Sequence, residues 1–369
     1  MDNCVIPHGY KATALGIIPQ EWEVMLLGNL SNSISSGRNK HRDAHGQYPV
    51  FGSTGIIGYS STYEYEGPVI LVARVGANAG TLNFASGQYD VSDNTLIITI
   101  KQNVYDYNFA YNQLTHYKLN KLVFGSGQPL ITSKQLKNIR IPVPPLAEQR
   151  KIAEVLGVWD KAIEKQARLI EKLALRKRAL MLRLLSAKLR LPGFSEPWKK
   201  VKLGDVAELY QPQTIQSEDL SQTGYPVYGA NGLIGYYNNY NHEYPQVVIT
   251  CRGSSCGTVN FTPGKCWITG NAMVLNVDNN RDVNKSFFYY LISNSSFVNL
   301  ISGSGQPQIV RQPLLKFELR IPPLKEQTAI AEVLTAADRE IDLAKEKLER
   351  LRRQKRGLMQ QLLTGKKRI

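Results

Sequence analysis

Few residues of this 369-residue chain suit chemistry or cross-linking. Four cysteines are too few for a disulfide framework. Cys251, Cys256 and Cys266 cluster near His242, but their spacings of 5 and 10 lack the short paired ligands of a structural zinc site, so no metal is expected. The five histidines (His8, His41, His45, His116 and His242) are scattered. No apolar run approaches the roughly 18–20 residues that span a bilayer. The first 22 residues lack a charged segment followed by an apolar one, so a cytoplasmic chain without a secretory signal is expected. Acidic residues are also short, 30 against 45 Lys and Arg, for a net charge of +15. No Gly-x4-Gly-Lys-Ser/Thr phosphate loop occurs, neither Pro-Pro is preceded by Asn, and no glycine-rich cofactor loop follows a convincing strand.

What the chain does have, it has twice. Trp22 to Lys188 aligns with Trp198 to Lys366 at an offset of 176 to 180 residues. YPVFGSTGIIGY at Tyr48 returns as YPVYGANGLIGY at Tyr225, and ILVARVGANAGTLNF at Ile70 as VVITCRGSSCGTVNF at Val247. GSGQP begins at Gly125 and again at Gly303, and RIPVPPLAEQRKIAEVL at Arg140 returns, one valine and one proline shorter, as RIPPLKEQTAIAEVL at Arg320. Solenoid units run about 20–50 residues, so this is a duplicated domain with a duplicated helix. Chemistry that mattered twice would appear twice. The unmatched histidines therefore argue against an enzyme.

The charge is localised. Residues 150–190 hold twelve Lys and Arg against four acidic residues, and residues 325–369 hold twelve against seven. The remaining parts are close to neutral. Basic helices fit a polyanionic partner, or simply solvate a long helix face.

Each globular part reads as mixed α/β, with β-branched strands over Val69–Val75, Asn94–Ile100, Val247–Thr250 and Ala272–Asp278. Helical pieces are expected around Tyr105–Leu119 and Lys285–Ile301. The fold class is α+β.

Two longer helices carry a 3.5-residue apolar repeat, the seam of a coiled coil. The first seam is Ile152, Leu156, Trp159, Ile163, Ile170, Leu173, Leu180 and Leu184. The second is Ile330, Leu334, Ala337, Ile341, Ala344, Leu348, Leu351, Leu358 and Leu362. Lys177 and Lys355 fall on the seams, as does Gln166 in the first copy. At 1.5 Å per residue each helix is roughly 55 Å long, and the two are expected to pair with each other. Pro144-Pro145 and Pro322-Pro323 should start them, and Gly193 and Gly365 should lie just past their ends. A lead-in LGIIPQEW at Leu15 is echoed by LPGFSEPW at Leu191, so the order of parts approximates a closed ring with two-fold symmetry.

This succession resembles the specificity subunit of type I restriction-modification systems: a YKATALGIIPQEW lead-in, a variable domain, a Pro-Pro-Leu-x-Glu-Gln exit, a long helix, then all of it again. The resemblance spans nearly the whole chain. It implies an arm (1–21), a first target-recognition domain (22–143), a central spacer helix (144–190), a second recognition domain (191–321) and a C-terminal spacer helix (322–369). It implies that each domain reads half of a bipartite double-stranded DNA target, with the helices packed antiparallel as a ruler. It further implies two docked modification (methyltransferase) subunits and two restriction subunits. S-adenosylmethionine, ATP and Mg are expected on those partners, with no cofactor in this chain.

Several residues are candidates for DNA contact. Arg74 and Arg252 lie in the glycine-rich segments and suit phosphate or guanine, although Arg74 aligns with Cys251 rather than with Arg252. Gln128 and Gln306 can pair with adenine, and Ser126 and Ser304 with phosphate. Both copies keep the same residues there, which favours a shared structural or backbone role. Lys134 and Arg311 follow as phosphate partners. Arg38, Lys40, His41 and Arg42 make a basic loop whose counterpart, Gln211 to Leu220, is amide-rich and acidic. This is where the two readers should diverge. Asn94 and Asn271, each just before a strand, complete the set. Two competing readings are an orphan helical scaffold that binds methyltransferase subunits without reading DNA, and an enzyme with an unrecognised site.

Overall fold

The computed structural model describes residues 6–40, 43, 45–125, 129–230, 232–303 and 305–369. The chain forms two compact units. One contains residues up to Ala167 together with Lys347–Ile369, and the other is Arg168–Glu346. Each unit therefore takes a stretch of both long helices, and the helices are not a separate layer.

In the first unit a four-stranded antiparallel sheet runs Ser31–Ser36, Thr95–Ile100, Val69–Ala73, Leu82–Ala85. Its central strands, VILVA and TLIITI, are buried along almost their whole length because both faces are covered. A second sheet pairs Gly55–Ser60 with Tyr48–Gly52, which runs parallel to Gln88–Val91, and Tyr65–Glu66 closes it. The second unit repeats both sheets. Glu208–Tyr210, Ala272–Asn276, Val247–Thr250 and Val259–Phe261 form the first, and Gly232–Tyr237, Tyr225–Gly229 and Trp267–Ile268 the second. The register slips at the same place in both copies, between Val50 and Phe51 and between Val227 and Tyr228. A duplicated bulge of this kind is a built feature rather than a defect.

The strand expected over Val69–Val75 stops at Ala73. Arg74 and Val75 leave the sheet to bond the segment after the GSGQP loop: Ile131 N–H donates to the Arg74 carbonyl at 2.9 Å, and Gly76 N–H to that of Pro129 at 2.9 Å. The domain helices are shorter than expected, Tyr107–Tyr117 and Lys285–Ser293. Asp106 caps the first through the amides of Asn108 and Phe109, and Asn284 caps the second through that of Phe287.

The long helices span Leu146–Leu184 and Leu324–Leu362. Their prolines stand just before the first turn, where the Pro145 carbonyl accepts from Glu148 N at 2.9 Å and that of Pro323 from Glu326 N at 2.9 Å. Seam residues Ile152, Leu156, Leu173, Ile330, Leu334, Ile341 and Leu348 are buried. Ile163, Ile170, Leu180, Leu351 and Leu358 are half-buried. Ile152 and Leu156 join Met359, Leu362 and Leu363 in the first core. Leu184 and Leu185 join Ile330 and Leu334 in the second. Each core is thus covered by the start of one helix and the end of the other. Within each unit the helices run antiparallel. Asp160 pairs with Lys355 at 2.6 Å in one, and Arg176 with Glu340 and Lys177 with Asp338 in the other. The two seam lysines are therefore held by aspartates of the opposite helix.

Gly193 does not end the first helix, contrary to the expectation from sequence. The helix stops nine residues earlier, and Ala187, at φ +58°, makes the left-handed turn. Gly365, its aligned position, makes the same turn at φ +72°. Glycine is needed only in the second case. A Cβ on Gly365 would sit 2.3 Å from Pro19 Cδ.

Candidate nucleic-acid interface

In each unit five loops converge at one end of the sheets, and hydrogen bonds tie them together. In the second unit the Ala230 carbonyl accepts from Thr250 Oγ1 at 2.6 Å and Ser255 Oγ at 3.0 Å, which joins the hairpin turn to the glycine-rich turn. Gly253 N–H donates to the Pro307 carbonyl at 3.0 Å, and Gln308 bridges both Arg252 and Ser302, which adds the GSGQP loop. Gln211 Nε2 donates to the Gly270 carbonyl at 2.9 Å, which adds the amide-rich loop and the turn before Asn271. In the first unit Arg74 N–H reaches the Asn94 carbonyl at 2.9 Å and Val75 bridges Leu130, matching Cys251 with Asn271 and Arg252 with Gln308 in the second, while the basic loop is held differently, by Arg38 and Asn39 N–H to the Val91 carbonyl. Gly80 is fixed here by space, because a Cβ would lie 2.6 Å from the Asn120 amide.

This end gathers most of the sequence candidates. Arg38, Lys40 and Asn94 are exposed in the first unit, and Arg252, Asn271 and Gln306 in the second. Arg38 is held loosely, 3.9 Å from Glu64, with 82% of its side chain exposed. Arg74 is half-buried and Arg252 exposed, as expected for successive positions of an extended segment, which face opposite ways. Cys251, at the position aligned with Arg74, is in the core, and burial pushes its thiol up to about 11. Lys134 is exposed on the short helix Ser133–Lys137. Arg311 is partly committed, because its Nε donates to the Leu209 carbonyl at 2.7 Å. His41, Arg42, Ser126, Gln128 and Ser304 lie outside the described residues. His242 engages both ring nitrogens, one with Tyr210 Oη at 2.9 Å and the other with Asn241 Oδ1 at 2.6 Å, and burial lowers its pKa.

The sequence assigns no role to three further groups. The first is the Glu-Gln of the exit motif. Gln149 accepts from Asp106 N at 2.8 Å and donates to the Val104 and Pro144 carbonyls at 2.9 and 2.8 Å. Gln327 does the same with Asn284 N, Asp282 and Pro322. The motif is a latch that fixes each domain helix to the start of a long helix. Its occurrence twice was the available signal.

The second group is Asn39 with Asp90. Asn39 Nδ2 donates to the buried Asp90 carboxylate at the loop end. The aligned residue in the second copy is Trp267, a difference visible in the alignment.

The third is Tyr290, whose hydroxyl donates to Asp338 Oδ2 at 2.8 Å and lies 3.2 Å from Thr335 Oγ1, with Lys177 Nζ 5.3 Å from its ring centre. The first copy has Asn112, Gly157 and Asp160 at these places. A groove of about 700 Å³ opens there, bordered by Phe84 and Tyr111.

No helix among the described residues is long and apolar enough to cross a membrane. A family model described as the type I restriction modification DNA specificity domain matches residues 19–174 and 195–353. The MjaVIII type I restriction enzyme specificity subunit of Methanocaldococcus jannaschii is 24% identical, covering 95% of this chain and 94% of its own length. The putative MjaX specificity subunit of the same organism is 26% identical, covering 98% and 97%. Among solved structures, the S subunit of a type I system from M. genitalium superposes with a TM-score of 0.66 at 19% identity, over 93% of this chain and 96% of that one. A chain from a study of assembly and conformational transition in the type I system gives 0.57 at 19%, over 94% and 99%.

Proposed function

The chain belongs to the type I restriction-modification DNA specificity family, and from that premise we propose that each of its domains reads one half of a split DNA target through its five-loop end. DNA target recognition is the family's role. The division of labour between the two domains is our reading. One observation carries it: both domains tie the glycine-rich turn to the GSGQP loop and to the turn before the next strand by matching backbone hydrogen bonds, Gly76 to Pro129 and Arg74 to Asn94 in one, Gly253 to Pro307 and Cys251 to Asn271 in the other, but with different exposed residues. A shared scaffold with changed tips suits two readers of different or partly related half-sites. Backbone and arginine or lysine contacts to phosphate would place each domain, and side chains at the tips would select bases.

On this reading the chain performs no chemistry. It directs two modification subunits, and two restriction subunits where present, to the target. S-adenosylmethionine, ATP and Mg belong to those partners. The basic long helices, latched to each domain by Gln149 and Gln327, would hold the two readers at a fixed spacing and offer the partners their docking surface.

The test is a methylome. The chain is coexpressed with its methyltransferase subunit in a methylation-free host, and modified adenines are mapped. A single bipartite motif with a fixed gap is expected. Absence of methylation from an assembled and otherwise competent complex would overturn the proposal and leave a scaffold that does not read DNA.

A further inference from the structure

We infer that Asn39 reads an adenine of the first domain's half-site and that Asp90 is the residue that positions it. The inference rests on the reading of that domain as a DNA reader. Asn39 lies in the loop after the Ser31–Ser36 strand, where its N–H donates to the Val91 carbonyl at 2.9 Å and its backbone bridges Ser92. It therefore sits among the converging loops, between the exposed Arg38 and Lys40.

The chemistry of the pair fixes the amide. Asp90 is 5% exposed, and one of its oxygens takes the Val91 N–H at 2.9 Å. The other takes Asn39 Nδ2. A buried carboxylate is costly unless its oxygens are bonded, and an ionised one only accepts. Asn39 must therefore turn its NH2 toward Asp90. Its Oδ1 and second N–H are left facing away from the carboxylate, and no partner for either is found among the described residues. An acceptor and a donor held side by side complement the N6 donor and N7 acceptor of adenine in the major groove. Guanine offers two acceptors on that edge and would leave the Asn39 oxygen unpaired. Arg38 and Lys40 flank the amide and suit the neighbouring phosphates.

The second domain cannot use this device. Trp267 stands where Asp90 does, and its pairing with Val227 matches that of Asp90 with Val50. The effect should be confined to one half-site.

The experiment uses the full chain assembled with its methyltransferase subunit. The mapped target is placed in synthetic duplexes, with one base pair exchanged at a time, and methylation rates are compared. Asn39→Ala should lower discrimination at one A·T pair of one half-site by about tenfold to a hundredfold. Every position of the other half-site should keep its preference. Asp90→Asn, whose own amide no longer dictates the orientation of Asn39, should relax the same position less. A uniform loss of rate with unchanged base preference would show a purely structural pair and overturn the inference. Relaxation at a G·C pair would overturn the adenine assignment. A wild-type complex that treats all duplexes alike would instead sink the DNA-reading premise, and the inference with it.

Discussion

Arg190 grips Glu326 with two donors, Nε to one carboxylate oxygen at 2.6 Å and Nη2 to the other at 2.8 Å. The Glu326 carboxylate is nearly solvent-free, at 1% side-chain exposure. Its counterpart in the other unit is Arg368 on Glu148, at 3.1 and 2.9 Å. The copies differ in one donor: Trp22 Nε1 also reaches Glu148 at 3.1 Å, whereas the aligned Trp198 Nε1 is buried with no partner among the described residues. The acid of the Pro-Pro-Leu-x-Glu-Gln motif thus clasps the segment that follows the other long helix.

Removing Arg190 strands a buried charge, whereas removing Arg368 leaves Glu148 one donor. Arg190→Met is expected to destabilise the second unit by about 3–5 kcal/mol. Arg368→Met should cost less, because its side chain is 41% exposed as well. Urea unfolding of both variants checks the order. Equal losses would mean that the tryptophan donor contributes nothing.

The glutamine of the motif offers a cleaner substitution. Gln149→Glu keeps the shape and exchanges an NH2 group for a second acceptor facing the Val104 and Pro144 carbonyls. Two buried acceptors lose their donor, at about 1–3 kcal/mol each. Gln327→Glu should behave alike, since its partners are the same in kind. Hydrogen exchange at the amides of the domain helices should rise in the affected unit alone.

Position 187 and its aligned position 365 should respond with opposite signs. Ala187 holds a left-handed turn that costs a non-glycine residue about 1–2 kcal/mol, so Ala187→Gly should be neutral or stabilising. Gly365→Ala adds the same strain and drives a methyl group into Pro19. It should destabilise by more than Ala187→Gly gains. Thermal melting of the two variants decides it.

Much of this was legible before the structure because repetition does the work of comparison. The seam repeat placed Ile152 and Leu156, Ile330 and Leu334 on buried faces. The β-branched runs located the central strands, since fully covered strands need no alternation. Strand ends were less legible: Arg74 and Val75 look like strand but are taken by Ile131 and Leu130, a pairing about 55 residues away that no local pattern encodes. The helix end at Ala187 was hidden because a strained alanine carries no glycine signal, and Gly193 stood nearby as a decoy. Among candidate contacts, the sequence points to Arg and Lys and to the Ser, Gln and Asn of repeated segments, and it passes over Asn39. Its significance depends on Asp90, which is distant in sequence.

His242 gives the second unit a pH dependence whose sign follows from its burial. Desolvation lowers its pKa in the fold, and Asp278 opposes this more weakly. In the unfolded chain the ring titrates near 6.5. Above that value the ring is neutral in both states and contributes no slope. As pH falls through about 6.5, the unfolded chain takes up the proton first, so stability is lost until the folded pKa is also passed. In the neutral ring Nδ1–H donates to Asn241 Oδ1 and Nε2 accepts from the Tyr210 hydroxyl, which a doubly protonated ring would force to turn and accept instead. The melting temperature should therefore fall more steeply between pH 7 and pH 5 in the wild type than in His242→Asn. His116 in the first unit, lowered by burial and then by Lys121 and Lys118, keeps its own slope in both proteins. Identical slopes in the two proteins would show that His242 takes up its proton in place, without loss of its neighbours.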